Sequence, residues 1–247
     1  MANLRAIRTR IKSVENTQQI TKSMKMVAAA KLRHTQAAFS ALKEYAERSD
    51  AMLRQVSGGS ADWSHPLLTP HEKNERVCYV LIVGNRGLCG TYNSALLRYL
   101  QELAPQDERE KSLVVCGRWG RDMIPAAGIP IRKTFEIGDA PDGKEAAELA
   151  SYLRELYLAG EADEIVLAYQ QFKSVLQQTP CTKTLLPMSA MASEEKDEGE
   201  GRLWFYEPDR ESLLSTLVDM AFNNTVHAVL LEARTGEHSA RMSAMTA

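Results

Sequence analysis

Aromatic side chains make up only 6% of the 247 residues, and this scarcity argues against a beta sandwich or barrel and for long helices. Long apolar runs are also missing: none approaches the roughly 18 uninterrupted apolar residues of a membrane span, so no transmembrane segment is expected. Cys78, Cys89, Cys116 and Cys181 form no C-x-x-C pair and have no histidine at metal-ligand spacing, which favours reduced thiols in a cytosolic chain over disulfides or zinc. His34, His65, His71, His227 and His238 show no H-E-x-x-H pattern, no serine lies in G-x-S-x-G, and there is no Walker A loop. No catalytic residue, metal or cofactor is therefore predicted. The last absence is local: residues 1–57 contain neither glycine nor proline, so nothing in them interrupts a helix.

Apolar residues (44%) and charged residues (25%) are instead in the ordinary globular balance, which excludes disorder throughout. The net charge of −2 hides a strong asymmetry. Arg5, Arg8, Arg10, Lys12, Lys22, Lys25, Lys31 and Arg33 face the single acid Glu15 in residues 1–34, a net +7 that leaves −9 for the remainder. Such a segment expects an acidic partner. Its basic, acid-poor start is not expected to be a removable presequence, because the apolar repeat beginning at Leu4 runs straight through it.

Steps of three and four from Leu4 give a seam of Leu4, Ile7, Ile11, Val14, Gln18, Thr21, Lys25, Ala28, Leu32, Thr35, Phe39, Leu42, Ala46, Ser49, Leu53 and Val56. That repeat predicts one long coiled-coil helix, with Asn3 as N-cap and Gly58-Gly59 as stop. The seam turns polar at Gln18, Thr21 and Lys25, while Ile20, Met24, Val27 and Ala28 form a stripe rotated away from it. This is either a stutter in the coiled coil or a face turned to another protein.

Beyond a linker over residues 58–75, short apolar runs at 77–83, 112–116, 129–135, 165–169 and 182–187 read as strands. Helical stretches at 93–103, 118–127 and 144–159 alternate with them, the pattern of a doubly wound, mainly parallel α/β domain. Residues 193–201 are acidic and glycine-bearing and read as a mobile surface loop, and 203–206 as a possible last strand. Pro208 and Asp209 then open a helix with Leu213, Leu217, Met220, Ala228, Leu231, Met242 and Met245 at helical spacing. The organisation is accordingly 1–57 as N-terminal coiled-coil helix, 76–190 as α/β globular domain and 208–247 as C-terminal coiled-coil helix, the two terminal helices running antiparallel. The sequon Asn223-Asn224-Thr225 falls inside that last helical pattern and is discounted.

The loop Gly84-Asn-Arg-Gly-Leu-Cys-Gly90 follows a predicted strand and precedes a predicted helix, where doubly wound domains bind phosphates. Its spacing is G-x-x-G-x-x-G, not the dinucleotide fingerprint, so a structural tight turn with Arg86 exposed at the sheet's carboxyl edge is expected. The basic stretch could also bind nucleic acid, although no aromatic is interleaved before Phe39.

Three blocks, read together, resemble the gamma subunit of bacterial F-type ATP synthases: residues 4–31 (Leu4-Arg-Ala-Ile-Arg-Thr-Arg-Ile through Met24-Lys-Met-Val-Ala-Ala-Ala-Lys31), residues 84–93, and Glu237-His-Ser-Ala-Arg241-Met-Ser-Ala-Met245. The resemblance implies a central-stalk rotor that is not itself an enzyme. It would couple proton-driven rotation of a membrane c-ring to ATP synthesis or hydrolysis in a ring of alpha and beta subunits. It implies peripheral attachment at the cytoplasmic face of the cell membrane. Met24, Lys25, Arg86, Gly87, Leu88, Cys89 and Arg241 would face the alpha/beta ring, and Tyr206 and Glu207 the c-ring and the epsilon subunit. It also implies further helical turns beyond Met245, so the C-terminal helix reads as truncated here, and it lacks the paired-cysteine insertion of the redox-controlled chloroplast relatives. The alternative is a basic coiled-coil protein that binds nucleic acid or another acidic surface.

Overall fold

The computed structural model describes residues 2–57, 64–119, 128–188 and 209–246. The stretch without glycine or proline forms a single helix, α1 (Ala2–Ser57), of 56 residues, about 84 Å long at 1.5 Å per residue. Because α1 already includes Asn3, that residue is not its N-cap. The second long helix, α4 (Arg210–Ala244), starts from Asp209, whose side chain accepts from the amide of Ser212 at 2.8 Å, satisfying a donor that the first turn leaves orphaned.

Helices α1 and α4 pack along one another, antiparallel. Lys31 and His238 meet the same residue, Asp139, while twelve residues further along α1, Lys43 lies within electrostatic reach of Glu232. The predicted seam is the buried one from Ala28 to Ser49: Ala28, Leu32 and Thr35 are buried, and Phe39, Leu42, Ala46 and Ser49 half-buried, while the side chains of Leu53 and Val56 lie outside the described set. Where the seam turned polar the stripe splits. Met24 is half-buried, but Ile20 (60%) and Val27 (55%) are exposed. From Leu4 to Ile20 every residue of α1 is exposed.

Between the two helices the chain builds β1 (Arg76–Ile82), α2 (Tyr92–Leu103), β2 (Glu110–Cys116), β3 (Ile131–Phe135), α3 (Gly143–Leu158), β4 (Glu164–Ser174) and β5 (Gln177–Leu186). The sheet order is β3-β2-β1-β4-β5, parallel except for β5, which returns antiparallel to β4. Alternation along β1 sends Val77, Tyr79, Leu81 and Val83 to a core with Leu96 and Leu100 of α2. Cys78, Val80 and Ile82 go to the opposite core with α3 and α4. Helix α3 starts in a reciprocal capping box between Asp142 and Glu145.

Two expectations change. β4 and β5 form a hairpin longer than the apolar runs suggested: β1 leaves β4 at Ala168, but β4 and β5 stay paired to Ser174 and Gln177. The overhang is polar because it never enters the sheet's core. In α4 the buried set is wider than the predicted stripe, since the helix is wrapped by α1 and the domain. Leu214, Val218, Ala221, Phe222, Val226 and Leu230 are all buried, whereas Met220 is 38% exposed. The predicted helix at 118–127 lies mostly outside the described residues, as do the acidic loop 193–201, the last strand at 203–206, and Tyr206 and Glu207.

Candidate functional site

The loop that follows β1 is drawn tight against α2. The amide of Gly84 donates to Asn93 Oδ1 at 2.8 Å, and Asn93 Nδ2 reaches back to Arg86 O and Cys89 Sγ. Gly90 takes φ 60° at no steric cost, but Leu88 takes φ 59° with a full side chain, a strain of about 1–3 kcal/mol that the surrounding contacts must hold. The turn buries Cys89 (2% exposed) and presents Arg86, Gly87 and Leu88 (64% exposed) outward.

Helix α4 crosses this edge with Arg234, Glu237, His238 and Arg241, spaced so that i, i+3 and i+4 neighbours share a face. Arg234 is 1% exposed. It donates to the carbonyls of Val83 (3.2 Å) and Ile137 (2.9 Å), to Asn85 Oδ1 (3.4 Å), and to Glu237 Oε2 (2.5 Å). The other oxygen of Glu237 accepts from Arg241 at 2.5 Å, and the same Arg241 nitrogen stands 3.4 Å from the carbonyls of Arg86 and Gly87. Burial alone pushes the Glu237 carboxyl up, yet the two guanidiniums outweigh it and hold its pKa below the ordinary value.

The loop after β3 closes the arrangement. Asn85 Nδ2 donates to Ile137 O at 2.6 Å. Asp139 pairs through its carboxylate with Lys31 of α1 and through its carbonyl with His238 Nε2 at 2.9 Å. The hydrogen bond from Lys31 lowers the Asp139 pKa. Burial lowers that of His238, against the opposing pull of the Asp139 carbonyl. On the far side of α4, Ser239 donates to Val175 O in the β4–β5 hairpin at 2.6 Å, and Tyr92 donates to Ala233 O at 2.5 Å. The helix is thus gripped from both flanks between residues 233 and 241.

This geometry explains the phosphate-like position of the loop. The strand order reverses at β1, so the carboxyl end of β1 borders the crevice where doubly wound sheets hold ligands. A Cβ on Gly84 would stand 2.8 Å from the carboxyl carbon of Glu237, so α4 puts its own carboxylate at that edge. The Cys89 thiol, raised by burial and next by Glu237, is not poised as a thiolate. Among the described residues, no group of three or more His, Cys, Asp or Glu could hold a metal ion, and no helix is long and apolar enough to cross a membrane.

Of the residues singled out in the sequence, Arg86, Gly87, Leu88, Cys89 and Arg241 come together at this edge. Cys89 is the exception in character: it is buried, so whatever the loop offers a neighbour is carried by Arg86, Gly87 and Leu88. Met24 and the exposed Lys25 stand further out on α1, about 10 Å beyond Lys31 at 1.5 Å per residue. Sequence reasoning missed Arg234, Asp139 and the role of Glu237. The available signal was an acid placed at i+3 from one arginine and i−4 from another.

A profile of the ATP synthase family matches residues 3–247. The ATP synthase gamma chain of Moorella thermoacetica is 40% identical over 246 residues, covering 99% of this chain and 86% of that protein. The gamma chain of Pelotomaculum thermopropionicum is 39% identical over 248 residues, with 99% and 86% coverage. Among solved structures, a chain in the central stalk and c-ring of the Tetrahymena thermophila mitochondrial ATP synthase is similar at a TM-score of 0.65 and 21% identity, covering 92% of this chain and 98% of that one. A chain in the rotor of the Euglena gracilis mitochondrial ATP synthase is similar at 0.62 and 20% identity, covering 99% and 90%. At that identity the structural likeness establishes the shared fold.

Proposed function

The chain belongs to the ATP synthase gamma-chain family, and from that premise we propose that it is the central-stalk rotor of an F-type ATP synthase, a non-catalytic subunit that couples turning of a membrane c-ring to ATP synthesis or hydrolysis in an alpha/beta ring. The observation that carries this is the antiparallel pair of long helices, α1 and α4, fastened together to one side of the α/β domain. The charge fits that reading, since residues 1–34 of α1 carry a net +7 that an acidic neighbour would match.

The mechanics follow from shape. A two-helix rod held fast to a domain on one side is stiff and lopsided, so each beta subunit around it meets a different surface. Differential contacts then bias each catalytic site in turn. Met24 and Lys25 are assigned to an acidic loop of beta, where an exposed ion pair worth about 1 kcal/mol or less lets the surfaces slide. Arg86, Gly87, Leu88 and Arg241 are assigned to the lower part of the ring. On the resemblance alone, Tyr206 and Glu207 are assigned to the foot against the c-ring and epsilon. The protein would sit peripherally on the cytoplasmic face of the membrane.

Affinity capture of the tagged chain from its native cells, followed by mass spectrometry, tests this. Alpha, beta and epsilon chains should be recovered, and the isolated chain should not hydrolyse ATP. Recovery of polynucleotide without alpha and beta would favour the nucleic-acid reading of the same basic face instead. In the assembled complex, Met24→Lys should reduce ATP-driven proton pumping more than it reduces assembly.

A further inference from the structure

We propose that Glu237 is a positioning residue that works as a built-in anionic ligand: its carboxylate, seated over Gly84 where a doubly wound sheet would take a ligand, fastens α4 to the α/β domain and aims Arg241 at the β1–α2 loop. Its two oxygens are divided between two guanidiniums at 2.5 Å each. Arg234 carries the load inward, to the carbonyls of Val83 at the end of β1 and Ile137 after β3. Arg241 carries it outward, to the carbonyls of Arg86 and Gly87.

The buried acid makes the two cations compatible with each other. Without it, Arg234 would be a charge 1% exposed with no counterion among the described residues, and Arg241 would be repelled from the same edge. The loop would then lose the contact that opposes its own strain, since Leu88 is held at φ 59°. Cys89 lies beneath that loop, 2% exposed, with its thiol 3.7 Å from Arg86 O. Its accessibility therefore reports whether the loop is held. Gly236, one residue before Glu237, lets the helix approach this closely: a Cβ there would stand 3.1 Å from the ring of Tyr92.

The latch stands on the geometry alone, whereas its consequence for energy coupling rests on the rotor reading, and the two are tested separately. In the full chain carrying Cys181→Ser, which removes the one cysteine of the four that is not buried, maleimide labelling of Cys89 is followed by peptide mass spectrometry. Glu237→Ala should speed labelling of Cys89 about tenfold while Cys78 and Cys116 stay protected. Sodium formate should restore the slow rate, and sodium chloride at equal ionic strength should not. Should the single variant unfold, the double variant Arg234→Met, Glu237→Gln removes the buried charges at similar volume, and its Cys89 should still label faster than the parent. Labelling of the folded variants at the parental rate, or chloride restoring as well as formate, would overturn the latch. In the assembled complex, Glu237→Gln should lower protons pumped per ATP hydrolysed while alpha and beta remain bound. If the parental chain itself fails to assemble with them, the rotor reading falls and the labelling result still decides the latch.

Discussion

Gly84 has no side chain because the space above it is already taken. A methyl group there would meet the carboxyl carbon and Oε1 of Glu237 at 2.8 Å and Asn93 Oδ1 at 3.2 Å. Gly84→Ala should accordingly destabilise the full chain by about 1–3 kcal/mol, read as a lower urea midpoint. Gly87→Ala, with nothing within 4 Å of the added atom, should stay within about 0.5 kcal/mol. His238 makes a pH prediction of definite sign. Burial holds its folded pKa below 6.5, so its contribution to stability is present above that value and declines as pH falls below it. The melting temperature should drop between pH 7.5 and pH 5.5, and less steeply in His238→Gln. Glu237, held below 4.5, keeps its contribution across that window and loses it only at more acid pH. These residues were poorly legible in the sequence for a physical reason. A charged residue in a helical pattern reads as a solvated face, and only tertiary packing against Val83 and Ile137 shows Arg234 and Glu237 to be buried. Arg86 and Arg241 were legible through the resemblance, but the acid that joins Arg241 to its surroundings was not.

Elements were far easier to read. The strands announced themselves as short apolar runs, and the absence of glycine and proline before residue 58 marked α1. What periodicity could not give was the number of partners each helix has. α1 meets one helix over its second half, so a single stripe described it well. α4 is wrapped by α1, the sheet and the hairpin, so its buried set spreads around most of the helix and a single stripe understated it. Two substitutions on neighbouring residues test the seam. Ala28 is 2% exposed between the helices, and Ala28→Leu should cost about 1–3 kcal/mol by overpacking, measured by thermal unfolding. Val27 is 55% exposed, and Val27→Ala should change stability by no more than about 0.5 kcal/mol. Phe222, fully buried between α4 and the domain beneath Arg154, should cost about 3–5 kcal/mol on replacement by alanine.

For the molecule as a whole, the fold fastens a pair of long helices to one side of an α/β domain. The second half of α1 packs on α4 and pairs with the domain through Lys31 and Asp139, and residues 1–34 carry the net charge of +7. Because α4 is gripped from both flanks between residues 233 and 241, a twist applied to the helix pair should be passed to the domain instead of being lost in slippage. The direct measurement is single-molecule rotation. The chain, with Cys181→Ser and a gold particle attached through Ser94→Cys, an exposed position on α2, is assembled with the alpha and beta subunits of its own organism, and the ring is fixed to glass. Adding ATP should turn the particle continuously in one direction, at a rate that rises with ATP concentration. A complex that hydrolyses ATP while the particle only fluctuates about one angle would contradict the rotor.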